Sequence, residues 1–488
     1  MNDITQLNPQ TVWQWFAKIC AIPHPSYHET ALIDYLLKRV QTDGVQYGLR
    51  AEKDSKGNLR IIKPATQGME SRAAVALQAH CDMVSQKTDD STHNFLTDPI
   101  QTIIKDNRFV YADRTTLGAD NGIGLAMALA VAFSHNIAHP ELHIIVTTEE
   151  ETSMGGAKAL NPEWFNGVPY LLNLDSEDDA QLFIGCAGGS EVEFNQYYTT
   201  QKQTATTLTI KVFGLHGGHS GIDIHKYRGN ANLLLTRLLA HSHSVSPINL
   251  VSFNGGTAIN AIPRSAEATI VGDIRIITAE IEKLTKIIQS ELQFVENNLQ
   301  VECITHKNTN VTALSHTDTH RILNFVMSFP NGVARMSDSF AGVVETSINA
   351  GIILLKEGQF TLQSLARSLG QTQKEAFVQR LAALAQLANM NMSVLDDYPG
   401  WLPNPHSPLL GLVQNIMAEH FGKEPLVQVI HAGLECGYLR AKAPHTDMVS
   451  FGPNIFNAHS PTEHVEIESV QSNFALLLKI LANIPERK

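Results

Sequence analysis

A handful of side chains in this sequence could hold a metal ion or move a proton. His80 and Asp82 close an apolar run, AAVALQAHCD. Asp120 sits in LGADNGIG, residues 117–124. Glu149, Glu150 and Glu151 follow LHIIVTT, and Asp175 ends PYLLNLD. His459 lies far downstream in NAHSPTEHV. Imidazoles and carboxylates make a mixed nitrogen and oxygen donor set that suits zinc, and also manganese or cobalt. Two cations sharing a carboxylate and a water are the usual hydrolytic arrangement.

Each position also has a plainer reading. His80 and Asp82 are two apart, so on a strand they share a face, and Asp82 could hold the imidazole in one tautomer. They could equally be solvated at a strand end. Asp120 is flanked by glycines at 118, 122 and 124, which let the backbone bend and neighbours approach. A carboxylate there could be a helix cap, although Asn121 would serve. The helix behind, AMALAVAF, is apolar enough to be buried. A buried carboxylate needs compensation, which a bridging role between cations would supply. Three adjacent glutamates are ordinarily a solvated cluster. At the C-terminal edge of parallel strands, where open α/β sheets place their sites, one could bind metal while its neighbour takes a proton. His464 competes with His459. The chain has no HExxH helix, no GxSxG elbow and no GxxxxGK[ST] loop, so serine hydrolase and P-loop chemistries are poor readings.

These residues need elements to position them. Apolar spacing predicts helices over residues 11–20 and 29–40, the latter with Ser26 as a candidate cap. Residues 73–80, 142–148 and 169–175 are short apolar runs of the kind that form buried parallel strands. A helix is expected over 121–135, and a hairpin turn at Asp106-Asn107. From about residue 187 the texture changes to alternating Thr-, Val- and Tyr-rich stretches, the pattern of half-exposed antiparallel strands. Residues 187–398 read as an α+β domain, with two halves resembling a degenerate repeat. YPGWLPNPHSP, residues 398–408, marks a boundary. The expected organisation is thus an α/β domain made of residues 1–186 and 399–488, with 187–398 inserted.

At 488 residues the chain is long enough for two or three domains. Its 43% hydrophobic and 17% charged content suits a globular fold, and the net charge of -12 argues against a nucleic-acid or anionic-membrane partner. No apolar run is long enough for a membrane helix, and the N-terminus lacks the pattern of a secretory signal. Five scattered Cys, never in CxxC spacing, read as reduced thiols of a cytoplasmic chain.

AHCDM, GADNG, TEEE, NLDSE, HGGHSG, HAGLECG and HSPTE, in this order, resemble the co-catalytic zinc peptidases that include aminoacylases, carboxypeptidases and dipeptidases. Within them the resemblance is strongest to the bacterial Xaa-His dipeptidases and covers essentially the whole chain. It implies an α/β zinc-peptidase catalytic domain, with a mostly parallel sheet flanked by helices, and an inserted α+β lid. It implies two divalent ions, zinc first, with cobalt or manganese possible. His80 and Asp175 would bind one, Glu151 and His459 the other, and Asp120 both, with a cis peptide bond after Asp120. Asp82 would orient His80, and Glu150 would be the general base for a metal-activated water. An alignment that keeps Ala157 in place favours Glu150 and Glu151 over Glu149 and Glu150, and leaves both open. His219 would stabilise the oxyanion, brought over by domain closure or from another subunit. Asn260 and Arg367 would hold the substrate's carboxylate end, and Gly433 and Glu435 would line the site. The implied partners are unblocked dipeptides, β-alanyl-histidine included, and a second copy in a homodimer. The rivals are an aminoacylase, a tripeptidase, or a decayed metal- or peptide-binding protein.

Overall fold

The computed structural model describes residues 3–487. They form two compact units. One runs to Gly185, takes up Pro403–Val429 and resumes at Glu435; the other comprises Cys186–Leu402 and Ile430–Leu434.

The first unit is built on an eight-stranded sheet. Four strands matter for the chemistry: β1 (Val75–His80), β2 (Leu142–Thr147), β3 (Tyr170–Asn173) and β4 (Asp447–Ser450). β1 lies between β2 and β3 and is parallel to both, and β4 is parallel to β3. Every residue of β1 and β2 is buried, as expected of parallel strands covered on both faces. These parallel pairings lie at the centre of the sheet. Leu59–Lys63 joins β2 antiparallel, and Gln181–Cys186 joins β4 antiparallel, so the outer strands depart from the mostly parallel sheet expected.

The connection from β1 to β2 passes through α1 (Ala119–Ala132). Apart from Asp120, all of its residues are buried, which matches a helix that is apolar all round. Each fully buried Leu, Ile or Met contributes about 1.5–3 kcal/mol. The helix begins earlier than residue 121, after Gly118 in the left-handed region, φ 72°. Its first turn is irregular, with non-helical backbone at Asp120 and Asn121, and the peptide bond between them is cis. Asn121 does not act as a cap; its side-chain amide donates to the Leu174 carbonyl at 2.7 Å and ties the turn to the end of β3. Helix Thr30–Thr42 likewise begins after Glu29 with no side-chain cap, and Ser26 instead donates its hydroxyl to Asp82 Oδ2 at 2.7 Å.

The expected hairpin forms between Thr102–Lys105 and Phe109–Ala112, with Asp106 and Asn107 both at positive φ and the Arg108 amide donating to the Lys105 carbonyl at 3.0 Å. Phe109–Ala112 also pairs with His464–Glu466, which pairs with Ile455–Phe456. The loop between those last two strands carries His459, so this small sheet fixes the downstream segment to the early part of the chain.

The second unit contains a nine-stranded antiparallel sheet in which both halves of the expected repeat take part. Helices Ala231–Val245, Ile274–Glu291, His316–Ser328 and Gln371–Ala388 accompany it. Phe194, Phe253, Phe325, Phe360 and Leu381 lie in its core. The short piece Ile430–Leu434 groups here although it lies beyond residue 399. The Ala187 amide donates to the carbonyls of Ile430 and Ala432, and Ser347 Oγ lies 2.8 Å from His431 Nε2.

At Gly124 of α1, a Cβ would lie 2.3 Å from the Leu174 carbonyl oxygen and 2.5 Å from Asn121 Oδ1. Gly124→Ala is therefore expected to lower stability by about 1–3 kcal/mol despite Ala's better helix propensity. A urea unfolding curve measures the change, and a variant as stable as the parent would refute the close approach.

Candidate metal centre

Strand register brings the upstream carboxylates together. Gln78 on β1 faces Asn173 on β3, so Asp175, two residues beyond, is level with His80. His80 itself faces Thr147, the last residue of β2, and the three glutamates follow. All of these segments end at one edge of the parallel strands, the edge where such sheets carry their sites.

His80 Nε2 lies 3.1 Å from Asp120 Oδ1 and 3.3 Å from Asp175 Oδ1. His459 Nε2 lies 3.2 Å from Asp120 Oδ2 and 2.8 Å from Glu151 Oε2. The two oxygens of Asp120 thus face two different imidazoles. Groups able to hold a cation are His80, Asp120 and Asp175; Asp120, Glu151 and His459; and His80, Glu150 and Glu151. Glu151 Oε1 and Asp175 Oδ1 are buried and accept no well-formed hydrogen bond. Buried anionic oxygens left in that state are costly, and a cation would satisfy them. The donor set fits divalent ions of the zinc, cobalt and manganese type.

The Glu149-Glu150-Glu151 turn separates the three carboxylates. Glu149 is at φ 57°, and its side chain pairs with Lys56 Nζ at 2.6 Å. Glu150 and Glu151 open a one-turn helix, Glu150–Ser153, and face the cluster. Four successive amides are held by side chains from elsewhere. Thr148 N–H donates to Asn58 Oδ1 (3.2 Å) and Glu149 N–H to Glu29 Oε1 (2.9 Å). Glu150 and Glu151 N–H donate to the two oxygens of Asp82, at 2.9 and 3.2 Å. Asp82 Oδ1 also lies 3.5 Å from His80 Nδ1. Asp82 thus touches both the histidine and the glutamate turn.

The charges are strongly perturbed. Burial raises Glu150 well above the usual carboxylate range; His80 opposes this, while Asp175, Glu435 and Glu151 add to it. Burial likewise pushes Asp175 up to about 6. His459 is pushed up to about 11, first by its hydrogen bond to Asp120 and then by Glu151. Burial works against a charged His80, yet the facing carboxylates, Asp175 foremost, raise it well above the ordinary histidine value. Asp120 is held below the usual range, because its bonds to His459 and His80 outweigh burial.

His464, the competing histidine, does not enter the cluster. It stacks on Tyr111 and Phe456, with ring centroids 4.4 and 5.0 Å away. Glu435 is buried in the first unit, its Oε2 accepting from Gln78 and Thr147 at 2.7 Å each, while Oε1 has no partner. Burial pushes it up to about 7.

The remaining candidates lie in the second unit. His219 pairs with Ala261 in a two-stranded ribbon, and the Ser220 amide donates to the Asn260 carbonyl. His219 Nδ1 accepts from the amides of Gly221 and Ile222, at 3.2 and 3.0 Å, which leaves the ring proton on Nε2. A Cβ at Gly221 would lie 3.1 Å from both Arg367 Nε and His219 Cε1, so guanidinium and imidazole converge there. Arg367 is 4% exposed, donates to the Tyr398 hydroxyl at 2.9 Å, and has no partner at Nε. Gly433 belongs to the Ile430–Leu434 piece of this unit.

The sequence pattern of peptidase family M20/M25/M40 matches residues 76–483, which include every candidate ligand. The chain belongs to that family. Over 494 aligned residues covering all of both chains, it is 42% identical to the Escherichia coli (strain K12) protein named cytosol non-specific dipeptidase. The crystal structure of aminoacylhistidine dipeptidase from Vibrio alginolyticus is 40% identical, with 99% of each chain covered and a TM-score of 0.91. The aminopeptidase PepT structure from Bacillus cereus shares the fold at 16% identity and a TM-score of 0.55, covering 98% of this chain and 99% of that one. The family match accords with a mixed α/β peptidase fold that gathers metal-type ligands at one sheet edge.

Sequence reasoning assigned nothing to Asn58, Glu29 or Glu463, all buried side chains that hold ligand-bearing turns. Glu463 stands in the HSPTE motif four residues after His459, which was the available signal. Glu29 and Asn58 carry no motif of their own.

Because His80 and His459 bind protons tightly in the metal-free protein, and a metal takes the unprotonated nitrogen, metal uptake must displace protons. Zinc affinity is therefore expected to rise with pH across the neutral range, with proton release on binding. Calorimetry in buffers of different ionisation enthalpy measures this, and uptake without proton release would contradict the assigned ligands.

Proposed function

We infer that this protein is a metal-dependent dipeptidase that hydrolyses unblocked dipeptides, those ending in histidine among them. One observation carries the reading: Asp120 presents its two carboxylate oxygens to two separate imidazoles, each with a further carboxylate at hand. That is the arrangement of a shared ligand between two cation sites. The full-length likeness to proteins named as dipeptidases supports the substrate class.

In this reading His80 and Asp175 hold one cation, Glu151 and His459 the other, and Asp120 both. Zinc is proposed, and cobalt or manganese would accept the same donors. Bound cations would polarise the scissile carbonyl and make a water acidic near neutral pH. The rest belongs to the chain. Asp82 fixes the His80 tautomer through Nδ1, leaving Nε2 to the metal side. Glu150 takes a proton from the attacking water and passes it to the leaving nitrogen. Its raised proton affinity suits a group that must hold that proton between the two events. Glu149, engaged with Lys56, is left out of this role.

His219 is proposed as the hydrogen-bond donor to the oxyanion through Nε2–H, the tautomer that the Gly221 and Ile222 amides enforce. Arg367 and Asn260 are proposed to hold the substrate carboxylate, and a buried guanidinium with no carboxylate partner among the described residues supports this for Arg367. Gly433 and Glu435 are proposed to line the substrate site. Residues 1–186 and 399–488 would be the catalytic part, and 187–398 a lid that also forms a homodimer. A cytoplasmic location is supported by the name of the Escherichia coli relative. Among the described residues, no helix is long and apolar enough to cross a membrane.

Glu150→Ala is expected to lower kcat by about 10²–10⁴, the usual worth of a general base, while zinc content stays near that of the parent. Glu149→Ala should retain most activity. If the two variants exchanged these behaviours, the base would be Glu149. On a substrate panel, L-alanyl-L-histidine and β-alanyl-L-histidine should be cleaved faster than tripeptides or N-acetyl amino acids. A faster rate on N-acetyl amino acids would make the protein an aminoacylase instead.

A further inference from the structure

The Asp120 turn is held by the carboxylate of Glu463, which lies outside the groups able to hold a cation. Glu463 Oε2 accepts from Leu117 N–H at 2.7 Å and Gly118 N–H at 3.1 Å. Its Oε1 accepts from Ala119 N–H at 2.8 Å and Asp120 N–H at 3.4 Å. Glu463 is only 2% exposed. The left-handed Gly118, φ 72°, turns this run of amides to one side, making the anion-binding concavity that successive N–H groups form. Here the anion comes from the chain itself, 346 residues beyond Leu117.

We propose that Glu463 is a positioning residue of the metal centre, fixing where Asp120 presents its two oxygens. The proposal rests on the reading of Asp120 as a ligand shared by two cations. Asp120 has an extended backbone, φ −82° and ψ 109°, at the start of a helix whose regular ladder begins only beyond it. Its position is therefore not set by helical hydrogen bonds. The Glu463 clamp and the Asn121 tie to Leu174 set it instead. Glu463 also sits on the loop that carries His459, with its own amide donating to the Ser460 carbonyl at 3.0 Å. One loop thus delivers a ligand and anchors the turn of the shared ligand, so the two move as a unit.

An amide cannot replace this carboxylate. Gln offers one acceptor oxygen, and its NH₂ would point hydrogens at two N–H donors, leaving buried amides without acceptors. Asp keeps the charge but falls short by one methylene.

The test measures Zn²⁺ affinity of the full-length protein against a competing chelator, and the visible absorption of the Co²⁺-loaded form. The comparison set is wild type, Glu463→Gln, Glu463→Asp, His459→Ala and Glu296→Gln. Glu296 is a control from the second unit, a buried carboxylate that accepts from the amides of His216 and Gly229 at 2.8 and 2.9 Å. Glu463→Gln is expected to weaken both zinc sites together by about 10- to 100-fold and to alter the Co²⁺ spectrum. His459→Ala should weaken one site more than the other, and Glu296→Gln neither. Should Glu463→Gln prove insoluble, Glu463→Asp carries the same expectation. Unchanged affinity at both sites in a folded Glu463 variant, with only a lowered Tm, would make Glu463 purely structural. A wild-type protein that binds fewer than two zinc ions would instead overturn the reading of Asp120.

Discussion

Repulsion between carboxylates is the constraint around which the first unit is organised. Asp82, Asp120, Glu150, Glu151 and Asp175 converge at one edge of the parallel strands, with His80 and His459 among them. Like charges this close shift one another's proton affinities and cannot all ionise in a dry setting without positive charge. Protons on the two imidazoles supply some of it in the metal-free chain. Divalent ions would supply more, and would take up the lone pairs of Glu151 Oε1 and Asp175 Oδ1 that lack a well-formed hydrogen bond. The fold tolerates the cluster because its supports are rigid. The strands are buried on both faces, and α1 is packed on every side.

A second principle runs through the supports. Both turns that present ligands have backbone amides outside any regular ladder, and in both a distant acidic side chain accepts them. Asp82 and Glu29 serve the 149–151 turn, and Glu463 serves the 117–120 turn. Acid residues thus split into those that face the candidate metal centre and those that face the peptide backbone. In the second kind the accepted N–H groups oppose the effect of burial, which raises Glu29 and pushes Glu463 up to about 7. The second kind set angles where the first kind supply charge.

Much of this was legible from residues. The apolar runs ending at His80, Thr148 and Asp175 gave the central strands, because period and burial are local signals. The Asp106-Asn107 hairpin was equally plain. Capping was not: Ser26 and Asn121 are good caps by type, yet each spends its side chain on a tertiary contact, with Asp82 and Leu174 respectively. The choice among three consecutive glutamates needed geometry. Lys56, which draws Glu149 aside, is more than ninety positions upstream in an unrelated turn. The His459 and His464 alternatives differ in sequence by little. In space, aromatic rings sandwich the second and leave the first to the cluster. Glu29, Asn58 and Glu463 escaped notice because their partners are main-chain amides, which no side-chain pattern announces.

The distribution of the ligands along the chain has a consequence for biosynthesis. His80, Asp120, Glu151 and Asp175 leave the ribosome early, whereas His459 and Glu463 follow only after the whole second unit has been made. Domains fold as units during synthesis, and non-local closure is slow compared with local packing. A nascent chain therefore exposes an acidic, incomplete edge for the time needed to translate nearly three hundred further residues, about 15–60 s at typical rates. The last segment closes the sheet with β4, delivers the final imidazole and locks the Asp120 turn in a single event. On the ligand set proposed above, hydrolytic competence would wait until translation is almost finished, and a truncated product would lack one of the two cation sites.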